Sequence, residues 1–161
     1  MAGDLTDRRA AAGADCVFCR IVEGTAPARI VHEDRDTLAF IPVNPVGDGH
    51  VLVVPRRHVR DLWELDDALA AALTTSALRV ARGVRAAFRP DGLNLINSAG
   101  AAATQTVMHL HVHVVARYEG DPMGDFWPPR TATEAARMDT TAERLRAVLG
   151  ETRADGGSAV G

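Results

Sequence analysis

The 161-residue sequence predicts an α+β domain built on an antiparallel sheet of about five strands, with one long helix and a short C-terminal helix. Three observations carry this. Short apolar, β-rich runs are separated by turn-forming clusters. One stretch has a sustained helical period. The two kinds of segment also lack the regular alternation that a parallel sheet requires.

In chain order, Arg29 to His32, Thr37 to Ile41 and His50 to Val54 read as strands, punctuated by Glu33-Asp34-Arg35-Asp36 and by Pro42 to Gly49. From Asp66 to Phe88, Leu69, Leu73, Ala77, Val80, Val84 and Phe88 recur every three or four residues, the period of one helix face, and Pro90-Asp91-Gly92 ends the run. Leu93 to Asn97 and Met108 to Val115 read as two more strands across a Gly/Ala/Thr loop. Thr140-Thr141-Ala142-Glu143 has the form of a capping box before a helix stopping at Gly150. Residues 1–14 and 151–161 are small and polar with little to bury, and are expected to be mobile tails flanking a domain over 15–150.

With 47% hydrophobic residues, the chain can bury one sizeable core. Eighteen Lys and Arg against 21 Asp and Glu give a formal charge of -3, which argues against gripping nucleic acid by bulk charge. Any phosphate recognition must be local. The first fourteen residues lack the apolar segment of a signal peptide, and no stretch approaches the roughly 18 apolar residues of a membrane span. Cys16 and Cys19, the two cysteines, have the spacing of a metal or redox pair more than of a structural disulfide. The expected compartment is cytoplasmic.

Three of the six histidines alternate strictly in His109-Leu110-His111-Val112-His113. Side chains on a strand alternate faces, so the imidazoles point one way, roughly 6 to 7 Å apart, while Leu110, Val112 and Val114 point into the core. Such a row suits a bound phosphate; it also suits a metal ion, and it can be a plain polar face. Gln105-Thr106, just before the strand, adds amide and hydroxyl groups that a bare metal site does not need.

Cys16-Val17-Phe18-Cys19, Asn44-Pro45, Gly49-His50 to Pro55, His58, Asn94 to Asn97, Gln105-Thr106 and the His-x-His-x-His run together resemble the histidine-triad (HIT) nucleotide-binding family, zinc-bearing bacterial-type branch, over about residues 15–118. The resemblance implies a HIT-like fold. It also implies a hydrolase or transferase acting at the α-phosphate of a nucleoside phosphoramidate, adenylate or dinucleoside polyphosphate through a nucleotidyl-histidine intermediate. His111 matches the nucleophile, His113 the phosphate contact, His50 the supporting histidine and Thr106 the hydroxyl beside the leaving group, with Gln105 at the same end. Phe18, Ile21, Phe40 and Ile41 match the apolar segments around a purine base, and Asn97 and Ser98 match phosphate-side positions. Pro42 stands where the family has an acidic or amide ribose contact, so either Asn44 takes over or the sugar is held loosely.

For the cysteine pair, His58 and His109 match the remaining ligands of a structural Cys2His2 zinc site, one Zn2+ per chain. A homodimer is expected by the same resemblance, and Trp127-Pro128-Pro129 resembles a segment lining the pocket or partner. Two other function classes remain open: a nucleotide-binding regulatory module with incidental hydrolysis, to which Pro42 gives weight, and a catalytic metalloenzyme using the His-x-His strand.

Overall fold

The computed structural model describes residues 15–124, 127 and 132–155. The chain divides into two compact units, residues 1–124 and 125–161. The described part of the first holds two helices, α1 (Val17–Val22) and α2 (Asp67–Phe88), and five strands: β1 (Arg29–Glu33), β2 (Thr37–Ile41), β3 (Val51–Pro55), β4 (Gly92–Asn97) and β5 (Val112–Arg117). The strands form one antiparallel sheet in the order β1-β2-β3-β5-β4. No helix among the described residues is long and apolar enough to cross a membrane.

Helix α2 forms where the periodic stretch predicts it. Asp66 caps its N-terminus by accepting a hydrogen bond from the Leu69 amide. Arg89, in the left-handed region at φ 48°, ends it before Pro90. Its stripe of Leu69, Leu73, Ala77, Val80 and Val84 packs on Ala39, Val51, Val53 and Val114 of the sheet and on Leu110 just before β5. Ser76, on the same stripe, is held through its hydroxyl by Thr37 and Asp34. Phe88 departs from expectation and is half exposed at the helix end.

The opposite face of the sheet buries Leu38, Phe40, Leu52 and Val54 against Cys16, Phe18, Cys19 and Ile21 of the α1 segment. A two-residue period divides the two cores, because neighbours on a strand face opposite ways. Phe40 pairs with Leu52, Leu52 with His113 and His113 with Ile96, so this row crosses four strands on the α1 face. Ordered pairing in the histidine run begins only at Val112, later than the expected Met108, because the preceding residues pair elsewhere: the Leu110 amide bonds to the Val59 carbonyl. The alternation survives, with Leu110 and Val114 buried on the α2 side.

The second unit contains α3 (Ala135–Asp155). It corrects two readings. The helix starts at Ala135, so Thr140 is no cap; Thr140 and Thr141 bond back to the Ala136 and Arg137 carbonyls, which satisfies both hydroxyls inside a helix. Good helix formers upstream (Ala135-Ala136-Arg137-Met138) carry it to an earlier start. The helix also passes Gly150, the expected stop, and runs to Asp155. The expected tails at 1–14 and 156–161, and Pro128-Pro129, lie outside the described residues.

Candidate active site and metal centre

Helix α1 gives the Cys-x-x-Cys pair its geometry. Cys16 is its N-cap and Cys19 lies one turn on, so both sulfurs face the same way, and both are buried. His109 Nδ1 is 3.4 Å from Cys16 Sγ and 3.5 Å from Cys19 Sγ, and His58 Nδ1 is 3.2 Å from Cys19 Sγ. All four donor atoms lie within 4.8 Å of one another. The edge of a zinc tetrahedron with mixed sulfur and nitrogen ligands is about 3.5 Å, so the spacing fits zinc. The donors are prepared for it. His109 Nε2 donates to the Pro55 carbonyl at 2.9 Å, which leaves Nδ1 as the lone-pair nitrogen facing the sulfurs. Burial holds His109 neutral, down to about 4, and burial together with the neighbouring Cys16 pushes the Cys19 thiol up to about 12. A thiolate there lacks a counter-charge, and a divalent cation supplies one.

Two residues along, the hydrogen bonding is reversed. His111 Nδ1 donates to the His109 carbonyl at 2.8 Å, so Nε2 carries the lone pair and points away from its own backbone. Burial lowers its basicity, while that carbonyl bond partly opposes the shift. Asn97 on β4 fixes the other side of the residue, its side-chain amide donating to the His111 carbonyl at 2.8 Å. The His111 ring touches His113 at 5.0 Å and the edge of Phe18 at 5.4 Å, centroid to centroid.

His50 completes a relay. The Val46 amide donates to His50 Nδ1 at 3.1 Å, which leaves the proton of a neutral ring on Nε2, 2.9 Å from His113 Nδ1. His113 then carries its own proton on Nε2, as a donor available to a phosphate oxygen. Burial, followed by the neighbouring His111 and His50, pushes His113 down to about 4; burial lowers His50 as well. All three rings are therefore neutral near pH 7.

The remaining expected residues divide. Thr106 is exposed, with its hydroxyl unbonded among the described residues; Ser98 is half-buried. Gln105 is buried, and its amide holds the loop: it accepts from the Gly100 amide and donates to the Arg60 and Val107 carbonyls. Gln105 thus braces this loop at the end where the leaving group is expected. Asn97 likewise braces His111. Phe40 lies on the α1 face in edge contact with Phe18, but Ile41 does not join it: as the next strand residue it faces the α2 side. Asn44 is exposed and makes no hydrogen bond among the described residues, and Pro42 beside it offers none. The residue that the sequence missed as an organiser is Val46, whose contribution is a backbone amide and leaves no trace in residue type.

Three neutral imidazoles, of His50, His111 and His113, gathered on one face of the sheet are the arrangement of a histidine-triad protein. The HIT domain family model matches residues 23–120, and the chain belongs to that family. It is similar to Protein hit of Bacillus subtilis, 40% identical over 114 residues covering 70% of this chain and 79% of that protein. It is also similar to the adenylylsulfatase HINT3 of Arabidopsis thaliana, 35% identical over 66% of this chain and 54% of that one. Among solved structures, SMU.412c from Streptococcus mutans superposes with a TM-score of 0.79 at 38% identity, over 84% of this chain and 85% of that one. A zinc-bound histidine triad family protein from Mycobacterium smegmatis superposes with a TM-score of 0.66 at 34% identity, over 89% and 99% of the two chains.

Proposed function

We propose that this protein transfers a nucleotidyl group from the α-phosphate of a purine nucleotide conjugate to water or another acceptor, by way of His111. The observation that carries the reading is the bond from His111 Nδ1 to the His109 carbonyl, which leaves Nε2 unprotonated and directed away from the backbone. In the first step Nε2 attacks the α-phosphorus, a P–N bond forms, and the bond to the leaving group breaks with its electron pair departing on that group, which then takes up a proton. In the second, water attacks phosphorus, the P–N pair returns to His111 and the nucleoside monophosphate leaves. His113 donates through Nε2 to a non-bridging oxygen in both steps, where charge concentrates. Thr106, whose hydroxyl has no partner among the described residues, serves the leaving group. Phe18 and Phe40 supply the apolar side of the base site.

The leaving group is an amine, an acyl group, sulfate or a second nucleotide; the name of the Arabidopsis relative makes adenosine 5′-phosphosulfate the first substrate to try. The exposed Asn44 beside Pro42 favours a loosely held ribose, and with it a second reading, a nucleotide-binding module whose hydrolysis is incidental. Steady-state turnover of adenosine phosphoramidate and adenosine 5′-phosphosulfate, with rapid-quench capture of acid-labile α-phosphate label on the protein, separates the two. Label absent from wild type, or present on the His111→Ala variant, overturns the mechanism.

Three further parts belong to this reading. One structural Zn2+ per chain sits on Cys16, Cys19, His58 and His109. The chain is a homodimer, for which β4 offers an unpaired sheet edge with half-exposed Leu95. It works in the cytoplasm, where Cys16 and Cys19 stay reduced.

A further inference from the structure

A second concavity lies on the α2 side of the sheet, away from His111 and His113, with His50 among the residues that line it. It is a cleft of about 440 Å³ between the C-terminal half of α2, the ends of β1 and β2 and the loop from Pro45 to Gly49. That volume falls in the range of small-molecule sites. Its walls are apolar, with Val31, Ile41, Val80, Val84 and Phe88 among them, and Val31, Ile41 and Phe88 are substantially exposed.

Two features mark it as built to be filled. Gly83 lines it from inside α2, where glycine costs about 1 kcal/mol relative to alanine, yet a Cβ there would meet nothing within 4 Å. The missing side chain therefore leaves open space and relieves no clash. Arg79, one turn earlier, enters the same cleft. Its guanidinium reaches His32 Nε2 at 3.3 Å, and no carboxylate among the described residues lies within ion-pair distance of it. The carboxylate nearest this pair, Asp34, is 3.7 Å from His32 and already accepts from Ser76 and Thr37. The other charged group lining the cleft, Asp48, stands on the loop wall and is shared with a neighbouring hollow around Ala87 and Phe88. From Arg79 to Phe88 the helix runs roughly 13 Å.

We propose that this cleft is a second ligand site, for an aliphatic monocarboxylate of medium chain length, with the carboxylate on Arg79 and the chain along Val80, Val84 and Phe88. A single anionic head matches the single guanidinium that lines the cleft, and Asp48 disfavours a second anionic group. The site bears on the triad from behind. Its loop wall is the segment whose Val46 amide holds His50 Nδ1, so occupancy is felt at the ring that bonds to His113.

Decanoate is the probe, titrated into the full-length protein by calorimetry, with decanol and decylamine for comparison. Saturable one-to-one decanoate binding is expected, at least tenfold tighter than either analogue. It should weaken at least tenfold in Arg79→Ala and be lost in Gly83→Leu, while Gly83→Ala, which leaves most of the space, retains it. Circular dichroism on each variant establishes that α2 is intact. The imidazole ¹⁵N resonances of His50 should shift on saturation. No saturable binding, equal binding of decanol, or full binding by Gly83→Leu overturns the site; unmoved His50 resonances overturn its link to the triad. If Gly83→Leu instead lowers the sedimenting mass, the cleft is an interface between copies and the ligand proposal fails. Neither readout depends on His111 reacting, so the site can fall while the proposed function stands, and the reverse.

Discussion

His109 and His111 are two residues apart on the same face of the same chain segment, yet they are prepared for opposite tasks. His109 donates through Nε2 to Pro55, which turns its short-armed Nδ1 inward to two sulfurs and a second imidazole. His111 donates through Nδ1 to the His109 carbonyl, which leaves its far nitrogen, Nε2, for an incoming atom. Under the proposed function, the same residue type is thus made a ligand or a nucleophile by which carbonyl it meets. A closed cage of four donors sits beside an open group of three rings, with Phe18 in edge contact with both His109 and His111.

The largest effect expected from breaking this division is at His111. Replacing it with Asn should lower kcat on the order of a thousandfold or more, while the dissociation constant for a nucleoside monophosphate changes no more than a few-fold, because His113 still donates to the phosphate. Single-turnover kinetics and equilibrium titration check the two numbers separately. Comparable losses in both would mean that His111 is a binding group.

On the other side of the comparison, Cys19→Ser or stripping of zinc should act on stability. Losing a tethered metal that joins α1 to the segments bearing His58 and His109 is expected to lower Tm by about 10 °C or more. Elemental analysis and thermal melts test this, and kcat below the melting range should stay within a few-fold. A metalloenzyme would show the inverse pattern.

The open group also predicts a pH signature. In the unfolded chain His113 titrates near 6.5; in the fold, burial and its neighbours hold it down to about 4. Below pH 6.5 the unfolded state therefore takes up the proton first, so this contribution to stability is complete above that pH and is lost as pH falls toward 4. In zinc-loaded protein the slope of Tm against pH between 6.5 and 4 should flatten in His113→Asn. Asp34, which burial pushes up but the bonds from Ser76 and Thr37 hold well below the usual carboxylate range, titrates below this window and leaves the difference intact. An unchanged slope would show that His113 is protonated as readily in the fold as in the unfolded chain.

The smallest expected effect is at Asn97. Among the described residues its amide donates to the His111 carbonyl alone, so Asn97→Ala should cost about 1 kcal/mol of stability and a few-fold in kcat with KM little changed. A rise in KM instead would restore Asn97 to direct nucleotide contact.

The histidine period, the α2 stripe and the Cys-x-x-Cys pair were legible because each is a spacing, and spacing survives folding. What was not legible is instructive. Phe40 and Ile41 look equivalent as apolar neighbours, but on a strand they part to opposite faces, one toward Phe18 and the other into the α2 cleft. Gln105 has the functional groups of a substrate contact, yet its amide bonds to Gly100 and Val107 on either side of Thr106 and to the distant Arg60 carbonyl. Thr140 has the letters of a cap but lies inside a helix. In each case the residue type was right for several partners, and long-range packing chose among them. The amide of Val46 shows the converse, since its role depends on the turn through Gly49 at φ 81° and on nothing in its side chain.

The two-residue period that sets His109, His111 and His113 on one face also governs how this segment can change over generations. Adding or deleting one residue between His109 and His113 would turn every later side chain to the other face, so the valines would take the place of the imidazoles and the donor ring would be driven under α2. The proposed chemistry would be lost in one event, while the Cys16, Cys19, His58 and His109 cluster, at or before the change, would keep its place. Substitutions, by contrast, touch one ring at a time. Drift through 109–113 is therefore confined to replacement, and changes in length must collect where no such ruler runs, in the stretches from Pro42 to Gly49 and from Ser98 to Thr104.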